Sequence, residues 1–421
     1  MKRLAFVVLA LALASSLPGC SQKAFMQEPQ VAVKVVNTQP TGKPIPPRKQ
    51  EAVQVQEQEQ EQEQKQEQKQ EQKLTLLAVG DIMVHQEQLE AAWDPQKKSY
   101  DFLPFFAKVA PILKQGDLVI GNLETTLAGS KNRYTGYPQF NSPESLATVL
   151  KQVGFTALTT ANNHSLDRRE AGVLSTISYL NQAGLAHTGT YRTAAERNQP
   201  LLLEKNGIKL AVLAYSYSTN GIPMPKGKPY LVNLIQPALM KQDIAKAKAS
   251  GADLVAVALH FGQEYQRLPN QVQKQTVDTT IQAGADLIIG HHPHVVQPYE
   301  WRTVTMADGS KKTAFVAYSL GNFISAQRRD YKDVGAILKL EIRKQTDGKA
   351  MIKTAEIIPT YVHYYRKAGR RQYVIYPLPQ TLDAKAPRDP LLNQDMYRYM
   401  QRLYKEISQH VSTFSGPKKT G

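Results

Sequence analysis

Cysteine is almost absent from this sequence: Cys20 is the only one among 421 residues. A single thiol cannot form an intramolecular disulfide, and it cannot supply the several thiolates of a structural zinc site. Long apolar runs are equally scarce. After residue 14 no run approaches the roughly 20 residues that a transmembrane helix needs, so no later segment is predicted to cross a membrane.

Cys20 lies in an N-terminal segment typical of exported proteins. Met1–Arg3 is basic, Leu4–Ala14 is continuously apolar, and Leu17–Cys20 closes the segment. The apolar run is too short to span a membrane but suits the core of a signal peptide. Residues 1–20 resemble a bacterial lipoprotein signal, in which the cysteine is lipidated and becomes the new N-terminus. We therefore expect an extracytoplasmic protein, lipid-anchored through Cys20; a plain secretory signal with an incidental cysteine is the alternative.

Acidic residues are outnumbered, with 36 Asp and Glu against 52 Lys and Arg, which gives a formal net charge of +16. Such a charge favours anionic partners, such as lipid headgroups, teichoic-type polymers or an acidic polypeptide. Because the N-terminal segment predicts export, no nucleic acid partner is expected. A generally cationic surface without a dedicated ligand remains the alternative.

Residues 21–73 lack the apolar side chains needed to form a core. They are rich in proline between residues 40 and 47 and in glutamate and glutamine between residues 54 and 72. The entropy of ordering such a stretch is not offset by burial, so we predict a disordered linker.

Apolar runs and amphipathic stretches alternate from Leu74 to about residue 365, which predicts an α/β domain with a largely buried sheet. Candidate strands are Leu74–Val79, Leu118–Gly121, Thr156–Thr160, Lys209–Tyr215, Leu254–Leu259, Asp286–Ile289, Ala314–Tyr318, Asp333–Arg343 and Met351–Pro359. Candidate helices are Phe102–Gln115, Pro143–Val153, Ala171–Ala183, Pro237–Ser250 and Asn270–Ala283. Residues 366–421 are predicted to be a basic C-terminal extension, with one amphipathic helix at Gln394–Gln409.

Compact polar motifs follow six of the candidate strands directly. They are Gly80–His85, Gly121–Thr125, Ala161–Asp167, His260–Tyr265, Gly290–His294 and Ser319–Phe323. Ligands of open α/β sheets bind outside the carboxyl ends of the strands, so these motifs are expected to converge on one site.

The residue types in these motifs predict a metal site. Carboxylates, imidazoles and an amide oxygen suit one or two divalent ions of Mn, Fe or Zn. The candidate ligands are Asp81, Glu124 as the bridging carboxylate, Asn163, His260, His292 and His294. His164 is the candidate catalytic acid or oxyanion donor. Candidate substrate-binding residues are Asn122, Asp167, Arg168, Glu264 and Asn322.

Each residue alone also has a structural interpretation. An aspartate after a strand is often a helix cap or turn residue, which applies to Asp81, and two successive asparagines often form a turn. His260 alone is equally consistent with a core or surface histidine. The functional interpretation depends on the convergence of several motifs.

At these residues the sequence resembles the bacterial capsule-synthesis family named CapA, which is linked to poly-γ-glutamate capsule production. The matching stretches are Gly80–Met83, Asn122–Glu124, Ala161–Asp167, Gly284–Asp286, Gly290–His294 and Tyr318–Phe323, in family order between about Leu74 and Gln327. That family is similar to calcineurin-like metallophosphatases, which implies a layered α/β sandwich with a two-metal site.

This sequence departs from the metallophosphatase pattern at two motifs. Met83 occupies the place of the usual histidine in Asp-x-His, with His85 two residues later as the nearest substitute. Asn122-x-Glu124 replaces the usual Gly-Asp-x-x-Asp, so the bridging carboxylate is on a longer side chain. Both changes predict an altered metal position and weigh against ordinary phosphatase activity. Arg168 and Arg169 also replace an aromatic residue and a glycine, and guanidinium groups pair well with the carboxylates of an anionic chain.

The resemblance implies a role in the synthesis, export or anchoring of an anionic capsule polymer, with poly-γ-glutamate as the expected polymer. Membrane polymer synthase subunits are the expected protein partners. Two alternatives are a metal-dependent hydrolase, acting on a phosphoester or amide of an envelope polymer, and a non-catalytic polymer-binding module.

Overall fold

The computed structural model describes residues 72–414. The predicted signal peptide, the lipidation at Cys20 and nearly all of the predicted linker lie outside the described residues. Gln72 and Lys73, the last two linker residues, already belong to the first strand. No helix between residues 72 and 414 has the length and apolar character needed to cross a membrane.

Strands of the described residues form two large sheets and one small hairpin. They are β1 (Gln72–Ile82), β2 (Trp93–Asp94), β3 (Ser99–Tyr100), β4 (Leu118–Leu123), β5 (Ala157–Thr159), β6 (Ala186–Thr188), β7 (Leu201–Lys205), β8 (Ile208–Ser216), β9 (Leu254–His260), β10 (Leu287–His291), β11 (Tyr299–Thr305), β12 (Lys311–Ala317), β13 (Asn322–Ile324), β14 (Val334–Lys344), β15 (Ala350–Lys367) and β16 (Arg370–Pro377).

The helices of the same region are mostly short. They are α1 (Gln86–Ala92), α2 (Leu103–Phe106), α3 (Ala110–Leu113), α4 (Ser145–Val153), α5 (Arg169–Gln182), α6 (Ala194–Arg197), α7 (Pro237–Ala249), α8 (Gln271–Gln282), α9 (Leu378–Leu382) and α10 (Gln394–Val411).

Each large sheet has a parallel centre. The first sheet has the order β16-β15-β14-β1-β4-β5-β6, with β13 beside β1. Its strands β1, β4, β5 and β6 are parallel, whereas β14, β15 and β16 form an antiparallel meander. The second sheet has the order β11-β12-β10-β9-β8-β7, in which β8, β9, β10 and β12 are parallel and both edge strands are antiparallel.

The two sheets pack face to face and carry helices on their outer faces. Because side chains alternate along a strand, Leu76 of β1 points into a core shared with the second sheet, whereas Leu77 points to the opposite face. Leu77 packs with residues of α2, α3 and α4. On the outer face of the second sheet, Ile244 of α7 and Ile281 of α8 pack against β8 and β9. This arrangement confirms the predicted layered α/β sandwich.

One predicted helix is broken in the structure. Residues 102–115 form two single-turn helices, α2 and α3, instead of one continuous helix. Pro111 explains the break, because it has no N–H to donate and its ring would clash with the carbonyl of residue 107 in a continuous helix. Each of the nine candidate strands overlaps an observed strand.

The predicted domain boundary at residue 365 is not a boundary in the structure. It falls inside β15, whose segment Thr360–Lys367 pairs with β16. The predicted C-terminal helix also belongs to the fold, since Met400 and Ile407 of α10 are fully buried in the core that the two sheets share. Residues 366–414 therefore complete the domain instead of extending from it.

Candidate metal centre

Side chains from the ends of both sheets meet in one buried cluster. Asp81 lies near the carboxyl end of β1, Glu124 directly follows β4, and His260 ends β9. His292 and His294 follow β10. All five side chains are 3% exposed or less. We call them the carboxylate–imidazole cluster, and they are five of the six ligands expected from the sequence.

Asp81 is held by partners on every side. Its Oδ1 accepts a hydrogen bond of 2.8 Å from the amide of Asn122, and its Oδ2 accepts one of 3.3 Å from the backbone N–H of His292. The Nδ1 atoms of His294 and His291 lie 3.2 and 3.3 Å from its two oxygens. Asp81 therefore fixes the loop that carries the histidines.

Glu124 has fewer partners than its burial requires. The amide of Asn122 lies 3.5 Å from its Oε2, and its Oε1 lies 3.5 Å from Nε2 of His260 and 3.9 Å from Nε2 of His294. Within residues 72–414 no hydrogen bond satisfies this Oε1. A buried carboxylate oxygen without a donor is costly, so it is expected to have another partner when the protein functions.

The sixth expected ligand, Asn163, contacts the cluster through His260. Its Oδ1 lies 2.8 Å from Nε2 of His260, and its amide donates to Asn220 at 3.1 Å. Nδ1 of His292 is buried and has no hydrogen-bond partner in the described part of the chain. The ring of Tyr217 packs on His292 with the two centroids 4.6 Å apart.

The histidine loop has an unusual backbone. His292 and His294 have φ angles of 95° and 59°, in a region that non-glycine residues seldom occupy. The loop is held by the hydrogen bond from His292 to Asp81 and by one of 2.7 Å from the Tyr265 N–H to the Pro293 carbonyl. Strained backbone of this kind concentrates at functional sites, where the surrounding structure holds it in place.

The electrostatics of the cluster match a cation site. Burial raises the pKa of Asp81, but hydrogen bonds from His291 and His294 outweigh this effect and hold it well below its usual range. Burial and the charge of Asp81 raise the pKa of Glu124 well above its usual range. Burial lowers the pKa of His260 well below its usual range and that of His292 to about 3. Both imidazoles are neutral at pH 7, as metal ligation requires.

The donor geometry fits one or two divalent metals. Three groups of side chains each place their ligand atoms within 4.8 Å of one another: Glu124 with His260 and His292, Asp81 with Glu124 and His294, and Glu264 with His292 and His294. Glu124, His292 and His294 each belong to two of these groups. Nitrogen and oxygen donors without thiolates suit Mn, Fe or Zn.

The candidate catalytic histidine lies next to this cluster. Nδ1 of His164 is 2.8 Å from Oδ2 of Asp167, which also accepts a 2.7 Å hydrogen bond from the backbone N–H of Phe140. The ring of Phe140 packs edge-on against His164, with centroids 4.7 Å apart. A cavity of about 540 Å³ is lined by His164 and Asp167 together with Asn163 and Glu264.

The other candidate substrate-binding residues have different surroundings. Arg168 lines the same cavity, and its guanidinium donates to Thr135 and to the carbonyl of Gln139. Asn122 lies inside the carboxylate–imidazole cluster between Asp81 and Glu124. Asn322 pairs with Asp81 in the sheet but donates away from the cavity, to Gln327 and to the carbonyl of Lys332.

The first motif lacks the usual histidine, and neither Met83 nor His85 belongs to a candidate ligand group. Met83 is buried, and its backbone N–H donates to Ile324. His85 caps α1 and accepts a 3.4 Å hydrogen bond from the backbone N–H of Ala326 on Nδ1. Burial lowers the pKa of His85 to about 4.

Three site residues were missed in the sequence. His291, Tyr217 and Asn220 contact Asp81, His292 and Asn163, respectively. His291 lies in the recognised Gly290–His294 motif, and its position as the last residue of β10 was the available signal. Tyr217 and Asn220 follow β8, a strand after which no compact polar motif was recognised.

Known proteins resemble the chain in fold and in sequence. The calcineurin-like phosphoesterase YfkN from Bacillus subtilis is a solved structure with 16% identity and a TM-score of 0.41, covering 82% of this chain and 100% of its own. The capsule biosynthesis protein CapA of Bacillus anthracis is 30% identical over 295 residues, which are 68% of this chain and 67% of that protein.

The PGA biosynthesis protein CapA of Bacillus subtilis (strain 168) is 31% identical over 293 residues, which are 68% of this chain and 70% of that protein. Residues 75–327 match the model of the bacterial capsule synthesis protein PGA_cap. These matches confirm the family expected from the motifs. The chain belongs to the bacterial capsule synthesis protein family PGA_cap.

Proposed function

We propose that this protein acts in the biosynthesis of an anionic capsule polymer of the poly-γ-glutamate type, through a site that binds one or two divalent metals. The observation that carries the proposal is the close approach of two buried carboxylates to three imidazoles, of which His292 has a nitrogen without a hydrogen-bond partner in the described residues. Family membership supports the link to a capsule polymer, and one relative bears the name of a PGA biosynthesis protein.

In this proposal Asp81, Glu124, His260, His292 and His294 hold the metal, with Asn163 as an additional oxygen donor. A bound divalent ion would act as a Lewis acid on a carbonyl or phosphoryl oxygen of the polymer. The burial of the ligands excludes water from the cluster, which strengthens the electrostatic interactions inside it.

His164 would exchange a proton with the polymer from the cavity side. Its Nδ1 is engaged by Asp167, which fixes the orientation of the ring. Nε2 is then the nitrogen left to donate or accept a proton, as in general acid–base catalysis. The His164–Asp167 pair favours a second candidate function, metal-dependent hydrolysis of a phosphoester or amide bond in an envelope polymer.

The proposed location is the outer face of the cell membrane. Lipidation of Cys20 would tether the domain through residues 21–71, beside membrane subunits that polymerise or export the chain. Cys20→Ser should then release the protein from the membrane fraction; a variant that stays membrane-bound would contradict the anchor without bearing on the metal site.

Metal content is the primary test of the site. The full chain, dialysed against Mn²⁺ or Zn²⁺, should retain one or two equivalents by elemental analysis, and His292→Ala should lose at least one of them. His187→Ala is the matched control, because His187 lies on β6 and belongs to none of the candidate ligand groups. Equal metal content in all three proteins would contradict the assignment of the cluster.

The capsule role needs a test in cells. Deletion of the gene in a capsule-forming host should reduce the amount or chain length of the surface polymer. His187→Ala should restore the polymer, whereas His292→Ala and His164→Ala should not. If both site variants restore it fully, the domain acts as a binding module without catalysis.

A further inference from the structure

A second polar surface lies on the first sheet, away from the His164 cavity. One cavity of about 950 Å³ is lined by Arg328, Arg329 and Arg366 together with several tyrosines. A neighbouring cavity of about 620 Å³ is lined by Arg366, Arg370 and Arg371 together with Trp93, Tyr100 and Tyr134. Glu90 and Glu87 also line it, and Glu87 pairs with Arg371 at 3.2 Å. Arg366 belongs to both cavities. We call this continuous surface the arginine–tyrosine groove.

In the described part of the chain, the arginines of the larger cavity are not neutralised by a carboxylate, although Arg366 donates a 3.0 Å hydrogen bond to the carbonyl of Gly369. Arg328, Arg329 and Arg366 are exposed, and within residues 72–414 no ion pair joins any of them to a carboxylate. The guanidinium of Arg328 stacks on the ring of Tyr364 at 4.3 Å, which orders the side chain without neutralising its charge. Charge-assisted hydrogen bonds from such guanidinium groups suit carboxylates.

The wall of the same cavity also contains an unsatisfied acceptor. Asp333 is 6% exposed, and its Oδ1 has no hydrogen-bond partner in the described residues. Its Oδ2 accepts a 3.3 Å hydrogen bond from the backbone N–H of Arg329, which fixes the carboxyl group in the wall. A free carboxyl oxygen in this position can accept a hydrogen bond from an N–H donor of a ligand, such as an amide.

The backbone beside Asp333 is strained. Arg329, Asp330 and Tyr331 have φ angles of 63°, 49° and 64°, which places three successive non-glycine residues in the left-handed region. The same segment begins next to the metal centre, since Gln327 accepts a hydrogen bond from Asn322 and Ala326 donates one to His85. The groove and the metal centre therefore share one connecting segment.

We propose that the arginine–tyrosine groove binds a stretch of a carboxylate-bearing polyamide. The exposed arginines would pair with its carboxylates, the tyrosine rings would cover its methylene groups, and Asp333 would accept from its amide N–H. This inference rests on the proposed function for the identity of the polymer. A phosphate polymer or an anionic membrane would match the arginines but would offer no amide donor to Asp333.

The test measures binding directly, with fluorescently labelled poly-γ-glutamate of defined length and the metal-free full chain. Replacing Arg328, Arg329 and Arg366 by Ser should weaken binding about 10-fold, because each exposed ion pair contributes modestly. The control replaces the exposed Lys205, Lys241 and Lys246 by Ser, which removes the same charge elsewhere. The control should bind within about 2-fold of the wild type.

Three outcomes would overturn the proposal. Equal weakening in the arginine and lysine variants would assign binding to overall charge. Preference for polyphosphate of equal charge over poly-γ-glutamate would exclude the polyamide. Binding to vesicles of anionic phospholipid, with none to the polymer, would make the groove a membrane surface. The metal content of the arginine variant should equal that of the wild type, so failure of the groove is distinguishable from failure of the metal site.

Discussion

Glu124→Gln should make the metal-free protein more stable than the metal-free wild type. With metal bound, the same variant should be less stable than the wild type. The substitution keeps the size of the side chain and removes its charge. Glu124 is fully buried, its Oε1 has no hydrogen-bond partner in the described residues, and the amide of Asn122 joins its other oxygen to the carboxylate of Asp81. The metal-free protein therefore carries a buried carboxyl oxygen that has no hydrogen-bond donor among residues 72–414.

The magnitude follows from the cost of such a group. A buried polar group without its partner costs about 1–3 kcal/mol, so the metal-free variant should be more stable than the wild type by about that amount. At roughly 2 °C per kcal/mol for a domain of this size, Tm should rise by about 2–6 °C. With metal at 1,000 times Kd, the wild type gains about 4.1 kcal/mol and should become the more stable protein, because the variant lacks one charged ligand.

Thermal unfolding by circular dichroism, after chelation and again with Mn²⁺ or Zn²⁺, measures both effects. Glu204→Gln is the matched control, because Glu204 is largely exposed and the same change there should alter stability by less than about 0.5 kcal/mol. A metal-free Glu124→Gln protein that is less stable than the wild type, with an unchanged response to metal, would refute the assignment of Glu124 as an unsatisfied ligand.

Three further changes test the fold around the site. Leu403→Ala in α10 should cost about 2–5 kcal/mol of unfolding free energy. Tyr404→Ala is the control and should cost much less, because Tyr404 is 37% exposed. Equal losses in the two variants would contradict the packing of α10. Burial lowers the pKa of His363, so protonation of the unfolded chain should reduce stability below about pH 6.5, by up to about 1.4 kcal/mol per pH unit. Urea unfolding between about pH 6.5 and 5 should show that His363→Gln loses stability less steeply with falling pH than the wild type. An unchanged slope of stability against pH would refute this. Gly290→Ala places a Cβ 1.9 Å from the carbonyl oxygen of Tyr318. The variant should lose about 1–3 kcal/mol of unfolding free energy and should also lose metal binding. Retention of both would show that the end of β10 can shift.

The central strands could be predicted because the signal for each of them lies in a few consecutive residues. Leu254–Leu259 and its counterparts are short continuous apolar runs, as expected for parallel strands covered on both faces. The second half of β15 and all of β16 were not recognised, because Tyr361, Tyr373 and Tyr376 are buried in place of aliphatic residues and several arginines interrupt the pattern. Tyrosine has a high strand propensity, and that was the signal available in β15 and β16.

The metal centre and the arginine–tyrosine groove differ in how far they could be read from the sequence. The candidate metal ligands lie at the carboxyl ends of parallel strands, and topology alone brings those ends together. The groove is assembled from residues near 90, 328 and 366, on elements without a shared motif. No local pattern predicts such a surface; residues 366–421 were recognised only as a basic C-terminal extension.

The change from a second-motif aspartate to Asn122-x-Glu124 has a physical meaning in the structure. Asn122 places a neutral amide between Asp81 and Glu124, so its N–H donors separate two carboxylates that would otherwise repel each other directly. Glu124 begins one residue beyond the end of β4, and its extra methylene carries Oε1 to within 3.5 Å of His260 and 3.9 Å of His294. One carboxylate thereby belongs to two ligand groups, one with His260 and His292 of the second sheet and one with Asp81 of the first sheet and His294 of the second. The longer side chain thus lets Glu124 take part in both candidate ligand groups, although the motif differs from the usual one.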